Sequence, residues 1–259
     1  MSHVLVTGSA GVIGQAAIRA LIAAGHTVRG FDLRPTPNLS DSHTGSVSDA
    51  EAIDRAVAGP PSVDAIIHLG AVTDDADFMS QILPNNIIGV FNVMEAARKH
   101  NVQRVVLASS GQVVSGLRWR EIKDRDITAA DGVAPTNYYA VSKAFAENLG
   151  FMYAHRHKMI VIAGRFGWLP RHAAGAADLA ARPRAWDVYL SHDDAGRFFV
   201  RCLAADVTGF HAFFVVSRRT VNRYGQDLEA PRKVLGYEPQ DVFPQGLPFE
   251  FKLPDAAKT

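Results

Sequence analysis

Tyr139 and Lys143 stand four residues apart in the segment YYAVSKAFAENLGFMY. On a helix that spacing puts both side chains on one face, a turn from each other. A phenol ordinarily ionises near pH 10, too high for a base at neutrality. A neighbouring ammonium favours the phenolate and can lower that value by roughly 1–3 units. The pair therefore suits proton transfer, with Tyr139 as general acid or base. A hydroxyl beside the phenol would hold a reacting oxygen, and Ser109-Ser110 follows an apolar run, Arg104 to Ala108, that reads as a strand. The second chemical feature is VLVTGSAGVIG, Val4 to Gly14, which reads as strand, tight turn and helix start. Gly8 lets the chain turn hard, Gly11 lets backbone approach a pyrophosphate, and Gly14 lets the helix pack on the strand. The helix, Val12 to Ala24, would aim its free N–H groups and positive dipole end at that phosphate. A second strand, Thr27 to Phe31, ends in Asp32, about twenty residues on, as a dinucleotide site requires. Asp32 is placed for the adenosine ribose hydroxyls and would repel a 2′-phosphate, which favours NAD over NADP. Arg34, two residues on, would soften that preference.

These residues need elements to position them. Ala65 to Leu69 (AIIHL) is a buried-type strand, and Asn86 to His100 has apolar residues at 87, 90, 91, 94 and 97, the helical spacing. Asn137 to His157 reads as a long helix after Pro135, and Met159 to Ala163 (MIVIA) as the next strand. Ser191 to Ala204 is a further helix, with Ser191 and Asp194 arranged like a capping box. Phe210 to Val216 (FHAFFVV) is a late strand, and a short third strand is expected near His43. Alternating strands and helices predict an α/β fold, a doubly wound parallel sheet. One domain is expected over residues 1–259. Residues 1–165 would mainly bind dinucleotide, and 166–259 would supply substrate-binding loops and complete the sheet. Val114 to Pro135 and Phe166 to Asp187 read as loops after strand ends, where such sheets bind ligands, and so as pocket walls.

Composition narrows the function. The chain has 259 residues, 47% hydrophobic and 20% charged, as a folded globular protein does. With 27 basic and 26 acidic residues there is no electrostatic case for nucleic acid or an anionic membrane. No apolar run approaches the roughly twenty residues that span a bilayer. The first strand begins by Val4, so no signal peptide is expected, and the single cysteine, Cys202, reads as a buried core thiol. Both point to the cytoplasm. His192, Asp193 and Asp194 sit at a helix start, where acids suit the dipole, and no spacing fits a metal site.

The TGxxGxxG turn (Thr7 to Gly14), HLGA (His68 to Ala71), the serine after a following strand and YxxxK together resemble the extended short-chain dehydrogenase/reductase superfamily, with its Rossmann fold, over nearly the whole chain. The resemblance implies an NAD-dependent enzyme with Tyr139 as catalytic acid/base. Lys143 would hold the nicotinamide ribose and lower the tyrosine pKa, and Ser110 would orient substrate. It implies a cofactor site of Gly8, Ala10, Gly11, Val12, Ile13, Gly14, Asp32, Leu33, Arg34, Ser46, Val47, Leu69, Gly70, Ala71, Asn86, Ala108, Ser109 and Phe166, with Tyr139 and Lys143.

FMSQILPNNIIGVFNVMEAARKH, YYAVSKAFAENLGFMY and YLSHDD are similar to the uronate dehydrogenases, which oxidise a sugar acid at C1 to an aldarolactone with NAD. That likeness implies substrate contacts from Thr73, Ser110, Gly111, Gln112, Tyr139, Trp168 and Arg184. Arg184 would grip the carboxylate, with Arg182 and Arg171 as rivals. The chain departs from the pattern in three places. Gly111-Gln112 replaces Asn-His, Trp168 replaces a small hydroxyl residue and either stacks on sugar or fills space, and Ser46 replaces an adenine-side acid. A nucleotide-sugar epimerase or dehydratase with retained NAD, and a non-catalytic NAD sensor, are the alternative readings. Apolar content on the helices at 86–100 and 137–157 exceeds one buried stripe, so a homo-oligomer is expected. The expected partner is otherwise a small sugar acid, with no nucleic acid and no membrane.

Overall fold

The computed structural model describes residues 1–117 and 124–253. Seven strands form one sheet: β1 (His3–Thr7), β2 (Thr27–Asp32), β3 (Ser42–Thr44), β4 (Ala65–His68), β5 (Arg104–Ser110), β6 (Ile160–Phe166) and β7 (Phe210–Val215). Their order is β3-β2-β1-β4-β5-β6-β7, and every pairing is parallel. The helices are α1 (Val12–Ala23), α2 (Ala50–Ala58), α3 (Gly89–Lys99), α4 (Tyr138–His157), α5 (Ala173–Ala180), α6 (His192–Ala204) and α7 (Glu229–Leu235). This is the doubly wound parallel sheet of a Rossmann-like α/β fold.

Strand side chains alternate between faces, and the core divides accordingly. Leu5, Ile66, Val105, Leu107 and Val161 pack on one face with Ile53 of α2, Val93 of α3 and Tyr153 of α4. Val4, Val6, Ile67, Val106 and Ile162 pack on the other with Leu21 of α1 and Phe198 and Phe199 of α6. Cys202 is wholly buried in that second core. The chain order reverses between β1 and β4, and beyond the carboxyl ends of those strands a crevice opens. Among the described residues no helix is long and apolar enough to cross a membrane.

The strands near Ala65, Arg104 and His43 and the helix at 138–157 lie where the residue pattern puts them. The helix expected at Asn86 differs. Its coil begins at Phe78, and residues 78–88 form a wide π-helical stretch before α3. Pro84 sits inside it with no N–H to give, and Gly89 N–H bonds back to the Pro84 carbonyl. The loop expected over Phe166 to Asp187 holds α5 and a 3₁₀ turn at Pro183–Val188. An Ala/Gly-rich stretch such as AAGAADLA carries little apolar periodicity to announce a helix. The other expected loop, Val114 to Pro135, has a 3₁₀ turn at Ala129–Asp131, and its residues 118–123 lie outside the described residues.

The Ser191/Asp194 box forms only by half. Ser191 Oγ accepts from Asp194 N–H at 2.9 Å. The Asp194 carboxylate instead takes Arg197, Ser217 Oγ and the N–H groups of Gln240 and Asp241. It is fully buried and ties residues 240–241 to the start of α6. His192 bonds the Pro170 carbonyl at 3.0 Å, so His192 and Asp194 are structural ties.

Candidate active site

Loops after β1, β2, β4, β5 and β6 enclose a cleft of about 1330 Å³. At its floor the glycine turn fits a bound pyrophosphate on steric and polar grounds. Gly8 has φ +69°, and a Cβ there would lie 2.7 Å from Gly70 N. A Cβ on Gly14 would lie 2.3 Å from Gly8 O, so the turn, α1 and the Leu69-Gly70 backbone close on one another only without side chains. No side chain caps α1 and no acid stands in its first turn, which leaves its N-terminal N–H groups and dipole for an anion. Ala10, Gly11, Val12 and Ile13 line the cleft here.

Thr7 braces this floor. Its Oγ1 accepts from Leu69 N–H and Gly70 N–H, both at 3.2 Å, and lies 2.7 Å from His68 Nδ1. Burial holds His68 at about 3, so it is neutral there. Asp32, at the end of β2, also borders the cleft. Its Oδ2 accepts from Ala10 N–H at 3.0 Å, and Arg34 reaches the Ala10 carbonyl from outside. Leu33, Val47, Leu69, Ala71 and Ala108 line the same space.

The candidate proton-transfer residues lie at the end of β5 and the start of α4. Asn137 caps α4 by accepting from Ala140 N–H at 2.7 Å, which sets Tyr139 and Lys143 in its first turns. Lys143 Nζ lies 5.5 Å from the Tyr139 ring centre. Ser110 borders the same space, and its Oγ accepts from Gln112 N–H at 3.1 Å. Burial lowers Lys143 to about 8, so the ammonium gives up its proton far more easily than a free lysine. Tyr139 departs from the expectation of a lowered pKa. Burial raises it, the Asp74 carboxylate adds to the rise, and the Ser110 hydroxyl and Arg171 only partly offset this. Desolvation of a phenolate outweighs its neighbours here.

Ser109 lines the cleft, but its hydroxyl turns away and donates to Glu147 Oε1 at 2.5 Å. Glu147 lies one turn beyond Lys143 and holds Arg165 of β6 through two bonds of 2.9 Å, all buried. This ion pair locks the register of α4 against the strands that carry Ser110 and Phe166.

Thr73, Gly111, Gln112, Phe166 and Trp168 border the cleft, as do Asp74, Arg171, His172 and Gln226, which the residue pattern did not single out as site residues, Arg171 aside as a rival. Trp168 is fixed by bonds to Val188 and Leu190, and the Arg182 guanidinium covers its ring at 5.6 Å. Arg171 reaches across to Asp74 at 3.2 Å, two loops meeting at the cleft. Asp74 has φ +69°, an uncommon conformation for a residue with a side chain.

Three expected site residues lie elsewhere. Arg184 is exposed on the 3₁₀ turn and outside the cleft lining, because that turn carries it to the surface. Asn86 is buried and clamps Val72 N–H and carbonyl and Ser142 Oγ, while Asn85 faces the cleft. Ser46 turns to Ser48 at 2.8 Å, leaving Gly45 and Val47 to line the cleft. Tyr138 is exposed and packs on Phe78 at 5.3 Å. Among the described residues no group of three or more His, Cys, Asp or Glu is placed to hold a metal ion.

The chain is similar in sequence and in fold to known dehydrogenases. Uronate dehydrogenase of Pseudomonas syringae pv. tomato is 32% identical over 240 residues, 89% of this chain and 82% of that protein. L-arabinose 1-dehydrogenase (NAD(P)(+)) of Haloferax volcanii is 31% identical over 255 residues, 93% of this chain and 97% of that one. The crystal structure of a glucuronic acid dehydrogenase from Chromohalobacter salexigens superposes with a TM-score of 0.78 at 30% identity, covering 93% and 85% of the two chains. The model of the NAD dependent epimerase/dehydratase family matches residues 4–169, the span from β1 through the loop after β6, and the chain belongs to that family.

Proposed function

We propose that this protein is an NAD-dependent dehydrogenase that oxidises the C1 hydroxyl of a uronic acid, galacturonate or glucuronate, to the aldarolactone. The observation that carries this reading is the convergence of Ser110, Tyr139 and Lys143 on the same cleft as the glycine turn, with the Arg171 guanidinium beside them. NAD, when bound, supplies the acceptor for the hydride that leaves C1. Tyr139 takes the proton of the C1 hydroxyl, and Ser110 holds that oxygen. Phenol beside amine and phenolate beside ammonium carry the same number of protons. Loss of one proton from the Tyr139–Lys143 pair therefore arms the base, and the lowered lysine sets where that happens.

Arg171 replaces Arg184 as the carboxylate grip. Its fork suits a carboxylate through paired hydrogen bonds, and it already holds one in Asp74. An acid substrate competes with Asp74 for that guanidinium. Asp32 gives NAD preference over NADP. The test is to mix protein, NAD and a panel of uronic acids and aldoses and follow NADH absorbance. Turnover of uronates is expected. An absence of NADH across the panel refutes the assignment, and NAD that stays tightly bound would turn the reading to an epimerase.

A homo-oligomer belongs to the same proposal. Val141, Phe145 and Met152 are exposed along α4, and Phe91 is exposed on α3 beside it. Their spacing makes an apolar stripe larger than a solvated helix needs. Sedimentation analysis should give more than one subunit, and a monomer at micromolar concentration contradicts it. A reducing, cytoplasmic location fits the buried Cys202 thiol.

A further inference from the structure

Gln226 lies in the C-terminal part of the chain, far in sequence from the tyrosine helix, yet its side chain borders the cleft beside Ser110, Gly111 and Phe166. It is 8% exposed, and its Oε1, closed off from solvent, has no hydrogen-bond partner among the described residues. Buried amides are nearly always paired, and because Oε1 is shut away, the end of this one that a ligand in the cleft meets is Nε2, which lies at Gly111 on the cleft wall.

The backbone that carries this side chain is clamped. Ile127 N–H donates to the Gly225 carbonyl at 2.8 Å, and Asp227 N–H donates to the Ile127 carbonyl at 2.9 Å. Arg219 bonds the Gln226 carbonyl at 3.2 Å and pairs with Asp126 at 2.6 Å. Asp126 also accepts from Gly225 N–H at 2.8 Å.

The space it fills is the space that Gly111 leaves. A Cβ on residue 111 would lie 2.9 Å from Gln226 Nε2. The neighbouring amide, Gln112, is already engaged, its Oε1 accepting from Asn137 at 2.9 Å. We propose that Gln226 is a specificity-determining residue whose side-chain amide, through Nε2, donates a hydrogen bond to the oxygen of a substrate hydroxyl other than the reacting one, in place of a polar side chain at position 111. The inference rests on the sugar-acid reading above and adds a contact to it.

The test compares the unsubstituted protein with Gln226→Leu on galacturonate, glucuronate and their 2-, 3- and 4-deoxy analogues. Leucine has similar volume and no amide. With the parent sugar, kcat/KM should fall about 5- to 100-fold in Gln226→Leu, the range for one lost hydrogen bond in a closed site. One deoxy sugar should show the same loss in the unsubstituted protein and little further loss in the variant. NAD affinity and melting temperature report whether the variant is folded. As a second variant, Gly111→Asn combined with Gln226→Ala should recover part of the lost kcat/KM, whereas Gly111→Asn alone collides with the amide. Equal kcat/KM in the unsubstituted protein and Gln226→Leu overturns this inference alone, as does an equal loss on every deoxy sugar in both proteins. An unsubstituted protein that oxidises no sugar overturns the dehydrogenase reading and this contact with it.

Discussion

The pH dependence of sugar oxidation tests the proton inventory of the Tyr139–Lys143 pair. Lys143 is lowered to about 8 by burial, and burial raises Tyr139 above its ordinary value. Below pH 8 the pair holds both protons, and the phenol cannot accept another. Above it one proton is gone, and the phenolate–ammonium arrangement becomes available. The oxidation rate therefore rises with pH, tenfold per unit, and levels off above about 8. With that midpoint, kcat/KM stands at about a tenth of the plateau at pH 7 and about a hundredth at pH 6. The reverse reduction, which needs the proton on Tyr139, runs in the opposite sense. The assay is the initial rate of NADH formation at saturating NAD and low uronate, from pH 6 to 10. Replacing Lys143 with Met removes the group that gives up its proton near 8. The profile of that variant should show no break there and should climb through the whole range, because only the raised phenol is left to titrate. A flat profile between pH 6 and 8, or a break near 8 that survives Lys143→Met, refutes the reasoning.

Other outcomes follow from single contacts. Tyr139→Phe removes the proton carrier and should cut kcat by at least about a thousandfold while NADH fluorescence titration shows the cofactor still bound; retained turnover would assign the base elsewhere. Arg171→Gln should raise KM for uronates about 10- to 100-fold and leave a neutral aldose almost unchanged, whereas Arg184→Gln, on the exposed turn, should change neither. If the two variants exchange these results, Arg184 is the grip. Gly14→Ala forces a Cβ to 2.3 Å from Gly8 O, so isothermal titration should find NAD affinity at least about tenfold weaker. Glu147→Ala strands the buried Arg165 charge and should cost about 3–5 kcal/mol, read as a melting temperature lower by roughly 6–15 °C. A change of only a degree or two would mean that the network is not what fixes α4.

The fold was legible because its signals are local. The GxxGxxG turn and the buried-type strands state their conformation within a few residues, through backbone permissiveness and side-chain period. Tyr139 and Lys143 could be paired, and Ser109-Ser110 placed, for the same reason: a helical turn and a strand end position them without reference to the rest of the chain, while the choice of Ser110 came from the family resemblance. The helix start at Phe78 and the helix at Ala173–Ala180 were not legible, since Pro84 reads as a stop and an Ala/Gly stretch has no stripe. Arg184 was assigned through the likeness to the uronate dehydrogenases, whose pattern fixes only a distance from Ser191 in sequence. Along the Pro183–Val188 turn that distance says nothing about direction, and the chain carries Arg184 outward while Arg171 faces Asp74 across the cleft.

What the sequence determined by itself is the run of strands and helices and the placing of Tyr139 and Lys143 on one helix face, because each depends on spacing within one element. Tertiary structure alone decided the sign of the Tyr139 shift, since burial by the surrounding loops outweighs the neighbours that favour its charge. It alone also brought Gln226 against Gly111, residues more than a hundred positions apart, through the pairing of Ile127 with the segment 225–227. Desolvation and long-range contact depend on what the folded chain excludes from water, and no local pattern of residues carries that information.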